Sequence, residues 1–124
     1  MINNLQTARN AYMETVVKTT TNSVDLLIML YDGAIDFLNR AKKAILAKDL
    51  QEKVDSIYRV TRIIEELLAS LNKEAGGKIA DNLESLYIFC LQEVSKANLR
   101  NDISYLDSVE KILMELRDAW RQIR

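Results

Sequence analysis

Apolar residues recur along this chain at spacings of three and four, the rhythm of one face of a helix with ~3.6 residues per turn. Residues 26–45 show it first: Leu27, Tyr31, Ala34, Leu38, Ala41 and Ile45 fall on one narrow stripe. The first two turns carry more than a stripe, because Leu26, Leu27, Ile28, Met29, Leu30 and Tyr31 surround the helix axis. Past Asn39 the outer face turns polar, with Arg40, Lys42 and Lys43. A surface helix needs one apolar face and not a complete collar. Something must cover the rest.

Residues 1–22 read differently. Leu5, Ala8 and Tyr12 have helical spacing, but the segment is short and ends in Thr19, Thr20 and Thr21, whose β-branched side chains favour extended backbone. The pattern predicts an N-terminal arm, partly ordered as a cap, that needs a surface to lie on. The first helix is expected over residues 24–47, capped by Asn22 or Ser23, with Asp25 at its positive end and Lys48-Asp49 as the turn. Gly33 lies in its middle at a cost of roughly 1 kcal/mol against alanine. Close approach by a neighbour is one explanation and chance is the other.

A second helix is expected over residues 50–73 behind an Asp49 cap, with Leu50, Val54, Ile57, Thr61, Ile64, Leu68 and Leu71 as its seam. The pair Gly76-Gly77 reads as its terminator, since glycine supplies the left-handed conformation of a helix end. A phosphate cradle at this pair is disfavoured, because no strand precedes it and the Walker and Rossmann spacings are absent. The third helix is expected over residues 80–99, with Ile79, Leu83, Leu86, Cys90, Val94 and Ala97 facing inward. Its run Leu86-Tyr87-Ile88-Phe89-Cys90-Leu91 forms a second collar. The fourth, over 103–123, follows Asp102 and repeats Leu106, Val109, Leu113, Leu116, Trp120 and Ile123. Together these predict an all-α, antiparallel up-down-up-down four-helix bundle with an N-terminal arm. Its collared first and third helices lie diagonally. Apolar surface beyond the core's needs points to partner binding.

Composition narrows the function. The chain has 124 residues, enough for one domain with a real core. Its 17 basic and 18 acidic residues nearly balance, which argues against nucleic acid as a partner. No apolar run approaches the ~20 residues of a membrane span, and no signal peptide is visible. One cysteine, Cys90, cannot form an internal disulfide and reads as a buried structural thiol in a reducing cytoplasm. Histidine and proline are absent. No histidine-based acid–base pair or Glu-x-x-His metal centre can form. The pattern assigns no catalytic residue, no metal and no cofactor, and an enzyme is the disfavoured class.

Several segments carry a family resemblance: Leu30-Tyr31-Asp32-Gly33-Ala34-Ile35; Leu71-Asn72, Glu74, Gly76-Gly77, Ile79-Ala80 and Asn82-Leu83; Leu86-Tyr87; Ala97-Asn98; Asp102; and Leu116-Arg117-Asp118-Ala119-Trp120. In this order and with these gaps, from Tyr12 to Trp120, the chain resembles the FliS family of flagellar export chaperones. The resemblance implies a cytoplasmic protein that binds the disordered C-terminal segment of flagellin, prevents its premature polymerisation and aids its delivery to the flagellar type III export apparatus. It implies flagellin as partner, with export components or regulators as further ones, and a free state that is a monomer or weak homo-oligomer. The resemblance also implies that the N-terminal arm, with Tyr12 at the family's tyrosine position, can lie over part of the binding surface when the client is absent. The family commonly has proline just after the first cap, where this chain reads Asn22-Ser23-Val24.

The overfull collars and the resemblance nominate Tyr12, Leu26, Met29, Leu30, Ile35, Leu83 and Tyr87 as partner-binding residues. Leu27, Tyr31 and Leu38 are assigned to the core. The rival reading is a self-associating structural or adaptor bundle, whose collars pack on copies of themselves.

The lack of histidine yields a direct expectation. Thermal stability should show no steep transition between about pH 6 and 8, where the unperturbed side chains present do not titrate. A melting temperature that collapses inside that window would contradict it.

Overall fold

The computed structural model describes residues 23–124. The arm, with Leu5, Tyr12, Val16 and Val17, lies outside the described residues. Four helices follow one another: α1 (Ser23–Ala47), α2 (Leu50–Ala69), α3 (Lys73–Arg100) and α4 (Ile103–Ile123). Connections of two or three residues reverse the chain each time, so neighbours run antiparallel. α1 packs against α2 and α4, and α3 packs against the same two, which leaves α1 and α3 on a diagonal.

Each turn has a local cause. After α1, Lys48 adopts a left-handed backbone with φ 57°. Its N–H reaches Ile45 O at 3.2 Å while Asp49 N–H reaches Ala44 O at 2.9 Å, the paired bonds of a Schellman ending. Asp49 then accepts from Glu52 N–H and caps α2. Asn101, at φ 53°, closes α3 in the same left-handed way, and Asp102 caps α4 by accepting from Ser104 N–H at 2.9 Å.

The core is one cluster drawn from all four helices. Tyr31, Ala34, Leu38 and Ala41 of α1 meet Val60, Ile64 and Leu67 of α2. Tyr87, Cys90, Val94 and Ala97 of α3 and Leu106, Val109 and Leu113 of α4 complete it. Leu27 packs on this cluster only half-buried. Gly33 faces the side chain of Ile63, whose Cδ1 would lie 3.5 Å from an added Cβ, so ordinary contact is available and no close approach demands glycine here.

The structure departs from the pattern in three places. The buried face of α2 is Lys53, Ser56, Ile57, Val60, Ile64 and Leu67. Leu50 and Val54, expected in the seam, are 67% and 51% exposed. Lys53 takes the inner position because its ammonium donates to Asn98 O at 3.1 Å and Asn101 Oδ1 at 2.7 Å, at the negative end of α3. The face therefore turns away from Leu50 and Val54.

The second departure is at Gly76-Gly77. α2 stops earlier, at Ala69, where Ser70 donates through its N–H to Glu66 O and through Oγ to Leu67 O. Asn72 then caps α3 by accepting from Ala75 N–H at 3.1 Å. The glycines fall inside α3, and Gly77, at φ 51° and ψ −124°, kinks it. Polar side chains bonding to nearby backbone set the break, and the glycines bend the helix that follows. Third, Ile79 and Ile123, both expected to face inward, are 69% and 66% exposed. Ile79 lies just beyond the kink, and Ile123 in the last turn of α4.

The corrected face of α2 can be tested by urea denaturation. Leu67→Ala should cost about 2–5 kcal/mol. Leu50→Ala should stay within about 0.5 kcal/mol of the wild type. Equal losses at the two positions would restore the symmetric seam.

Candidate partner-binding groove

At the end of the bundle where α1 begins and α2 stops, the helices do not close over one another. An open groove of about 420 Å³ remains. Leu26, Leu27 and Leu30 of α1 form one wall. Ala75, Gly76, Ile79, Ala80 and Leu83 of α3 form the opposite one. Leu71 and Asn72 of the connection, Glu66 and Ser70 at the end of α2, and Trp120 of α4 complete the lining. The early stop of α2 and the kink of α3 create this space, since a straight continuation of either would change that end of the bundle.

The groove rests on a polar junction inside the core. Trp120 Nε1–H donates to Tyr31 Oη at 3.1 Å. The Tyr31 and Tyr87 hydroxyls bond to each other at 2.5 Å, joining the diagonal helices α1 and α3. Tyr87 and Trp120 both border the groove, so the junction also sets its inner surface. Burial raises the ionisation of both tyrosines above the ordinary range. Beside them, burial and then Glu93 push the Cys90 thiol up to about 12, which keeps it a thiol and a poor nucleophile.

Ion pairs tie α1 to α4 along the outside. Arg117 Nη1 meets Asp32 Oδ1 at 3.0 Å, Arg121 Nη2 meets Asp32 Oδ2 at 3.6 Å, and Arg124 Nη1 meets Asp25 Oδ1 at 3.3 Å. At the far end Lys42 bridges Asp107 at 2.9 Å and Glu110 at 3.2 Å. Such half-exposed pairs contribute little each. They position α4 against the helix that carries Leu26 and Leu30.

The nominated residues separate. Leu26, Leu30 and Leu83 line the groove while half-buried, and Tyr87 borders it while 1% exposed. Met29 is half-buried and lies away from the groove lining. Ile35 is 7% exposed and belongs to the core, being one helical turn beyond Tyr31 on the inner side. Tyr12 lies outside the described residues. The collar reading treats Ile35 and Tyr87 as surplus surface, but Tyr87 turns inward to bond Tyr31 across the diagonal and Ile35 packs in the core cluster. The sequence reading missed the lining roles of Ile79, Leu71 and Trp120 by placing all three in core seams. The indole of Trp120 was a usable signal, since a buried indole N–H needs an acceptor.

Further apolar side chains stand on the outside. Leu50, Val54 and Tyr58 form a row along α2, and Ile88 and Phe89 are partly exposed on α3. Among the described residues no group of three or more acidic or cysteine side chains is placed to hold a metal ion. None of the described helices is long and apolar enough to cross a membrane. What the groove offers is apolar area with one acidic side chain at its edge.

The alkaline behaviour of the junction is testable. An acid whose folded value is raised keeps its proton longer in the folded state than in the unfolded chain. Its stability contribution is whole below the ordinary value and is lost as pH rises toward the folded one. That loss runs from 9.0 to about 12 for Cys90 and from 10.0 upward for the tyrosines. Tyr87→Phe should cost about 0.5–1.5 kcal/mol at neutral pH through the lost hydrogen bond. Its melting temperature should then fall less steeply above pH 10.0 than that of the wild type. Parallel alkaline slopes would refute the role of the buried hydroxyl.

Comparison with known proteins places these features in a family. The model of the family "Flagellar protein FliS" matches residues 4–124. The flagellar secretion chaperone FliS of Salmonella typhimurium is 36% identical over 117 residues, covering 91% of this chain and 87% of the relative. That of Campylobacter jejuni is 37% identical over 123 residues, covering 99% and 94%. That of Bacillus subtilis is 30% identical over 118 residues, covering 95% and 86%. A crystal structure described as a flagellar chaperone from bacteria has the same fold, with a TM-score of 0.78 at 22% identity over 95% of both chains.

Proposed function

Because the chain belongs to the family of flagellar protein FliS, we propose that it is a flagellar secretion chaperone acting in the cytoplasm. Its client is the disordered C-terminal segment of flagellin. Binding keeps that segment from polymerising early and aids its delivery to the flagellar export apparatus.

The open apolar groove carries this reading. A segment that folds as it binds loses roughly 2–5 kcal/mol to ordering. Burial of apolar surface at ~25 cal/mol per Å² offsets that loss when the contact is extended. An amphipathic client helix would set its apolar anchors against Leu26, Leu30, Ile79 and Leu83, all of which border the groove. Tyr87 shapes the inner surface without offering much area, and Met29 and Ile35 are minor contributors. In the same reading Tyr12 of the N-terminal arm competes with the client for this groove as an intramolecular occupant. No bond is made or broken, and the thiol held near 12 fits a binding role.

Self-association is the second reading, favoured by the exposed row Leu50, Val54 and Tyr58. Light scattering with and without the flagellin C-terminal segment separates the two, since a chaperone forms a one-to-one complex whatever its free state.

Ile79 gives the sharper test, because it lines the groove while 69% exposed. Ile79→Ser should leave the unfolding free energy within about 0.5 kcal/mol of the wild type. It should weaken the flagellin segment about tenfold by calorimetry, the loss of one anchor worth ~1.4 kcal/mol. Unchanged affinity would remove the groove from the client site.

A further inference from the structure

The rim of the groove carries an electrostatic conflict. α2 ends there, with Ser70 lining the groove, and its last turn contains no basic residue. Carbonyl groups concentrate partial negative charge at a helix C-terminus, where a carboxylate is disfavoured and a cation favoured. Glu65 and Glu66 nevertheless occupy this end. Glu65 has Arg62 at 3.8 Å. Lys73, beyond the turn, is held by Glu84 at 2.6 Å. Among the described residues Glu66 has no cationic partner and is the one charged side chain lining the groove. No lysine or arginine of the described residues lines it.

Among the described residues two features thus leave the same edge negative: a helix end capped by Ser70 but with no basic residue in its last turn, and the exposed Glu66 carboxylate, without a cationic partner there, beside apolar area. Local rules broken without local compensation are expected where an outside partner supplies what is missing. We propose that the groove selects a segment bearing a lysine or arginine beside its apolar anchors, and that Glu66 with the C-terminal end of α2 receives that cation. The proposal rests on the chaperone reading and adds a specificity determinant to it. Apolar contact provides area with little discrimination, because leucine-rich helices are common. The acidic rim fixes which way an amphipathic segment lies and rejects one that presents a carboxylate at this point.

Glu66→Gln tests this with opposite signs on two measurements. Removing a carboxylate from a helix C-terminus should raise the melting temperature of the free protein by about 1–3 °C. It should weaken the flagellin C-terminal segment about fivefold at low salt, with the difference closing as salt rises toward roughly 0.5 M. Glu66→Lys should weaken it further, and a flagellin segment whose matching lysine or arginine is changed to glutamate should regain affinity for that variant alone. Equal affinity of wild type and Glu66→Gln at low salt, while Ile79→Ser still weakens binding, would overturn the specificity proposal and leave the chaperone reading standing. If the segment does not bind the wild type at all, the chaperone reading fails instead. Two synthetic amphipathic helices that differ only by lysine or glutamine at one edge position then decide the charge preference, and equal binding of both would overturn it.

Discussion

The Tyr31–Tyr87 hydroxyl contact is the interaction on which the rest of the bundle depends. Short connections already bring each helix against its sequence neighbours, but nothing in that connectivity fixes α1 against α3 across the diagonal. Two phenol oxygens and an indole nitrogen buried in an apolar core cost several kcal/mol if left without partners. They are partnered in one relative placement of α1, α3 and α4, with Trp120 donating to Tyr31 and Tyr31 bonded to Tyr87. Leucine and valine contacts tolerate sliding by a fraction of a turn, and this junction does not. It therefore supplies register where the hydrophobic seams supply adhesion.

The groove follows from the same constraint. With the junction holding the helices near Tyr31, α1 continues toward its N-terminus as Leu30, Leu27 and Leu26. α2 has already ended at Ala69, and α3 enters bent at Gly77. No side chain of the described residues fills the space between them. A bundle selected for stability alone would extend α2 by a turn and cover these leucines. Among the described residues nothing covers them, which forgoes stabilisation that a client segment would recover if it binds there as proposed.

Helix existence and class were legible because period-3.6 patterning is long-range and redundant: losing one seam position does not disturb the others. The face of α2 was not, because Lys53 looks like a surface residue until the C-terminus of α3, forty-five positions away, supplies its acceptors. The break between α2 and α3 was misplaced because glycine is the loudest punctuation in a sequence. Ser70 and Asn72 act through hydrogen bonds to neighbouring backbone and are quieter. The groove was half legible. Leu26, Leu30 and Leu83 stood out as surplus apolar residues, whereas Ile79 and Leu71 fitted a seam so well that their surplus was invisible. Tyr87 looked surplus and was not, since a diagonal contact has no signature in the periodicity of a single helix.

A secretion chaperone must release what it binds, and the division of labour proposed for the groove would serve that need. Affinity from apolar area alone is nearly insensitive to salt and hard to tune, since each buried methylene adds ~0.8 kcal/mol whatever its orientation. A half-open groove limits that area, so apolar burial would exceed the ordering cost of the client by a modest margin and dissociation would stay accessible. Discrimination then has to come from a feature worth little in free energy but strict in geometry. A rim carboxylate at a helix terminus has that character: its field acts over roughly a Debye length, steers the approaching segment and contributes modestly once the segment is seated. On the proposed reading the stable junction below and the weakly charged edge above would divide two tasks, one holding the groove in shape for every client and the other deciding which segment lies in it.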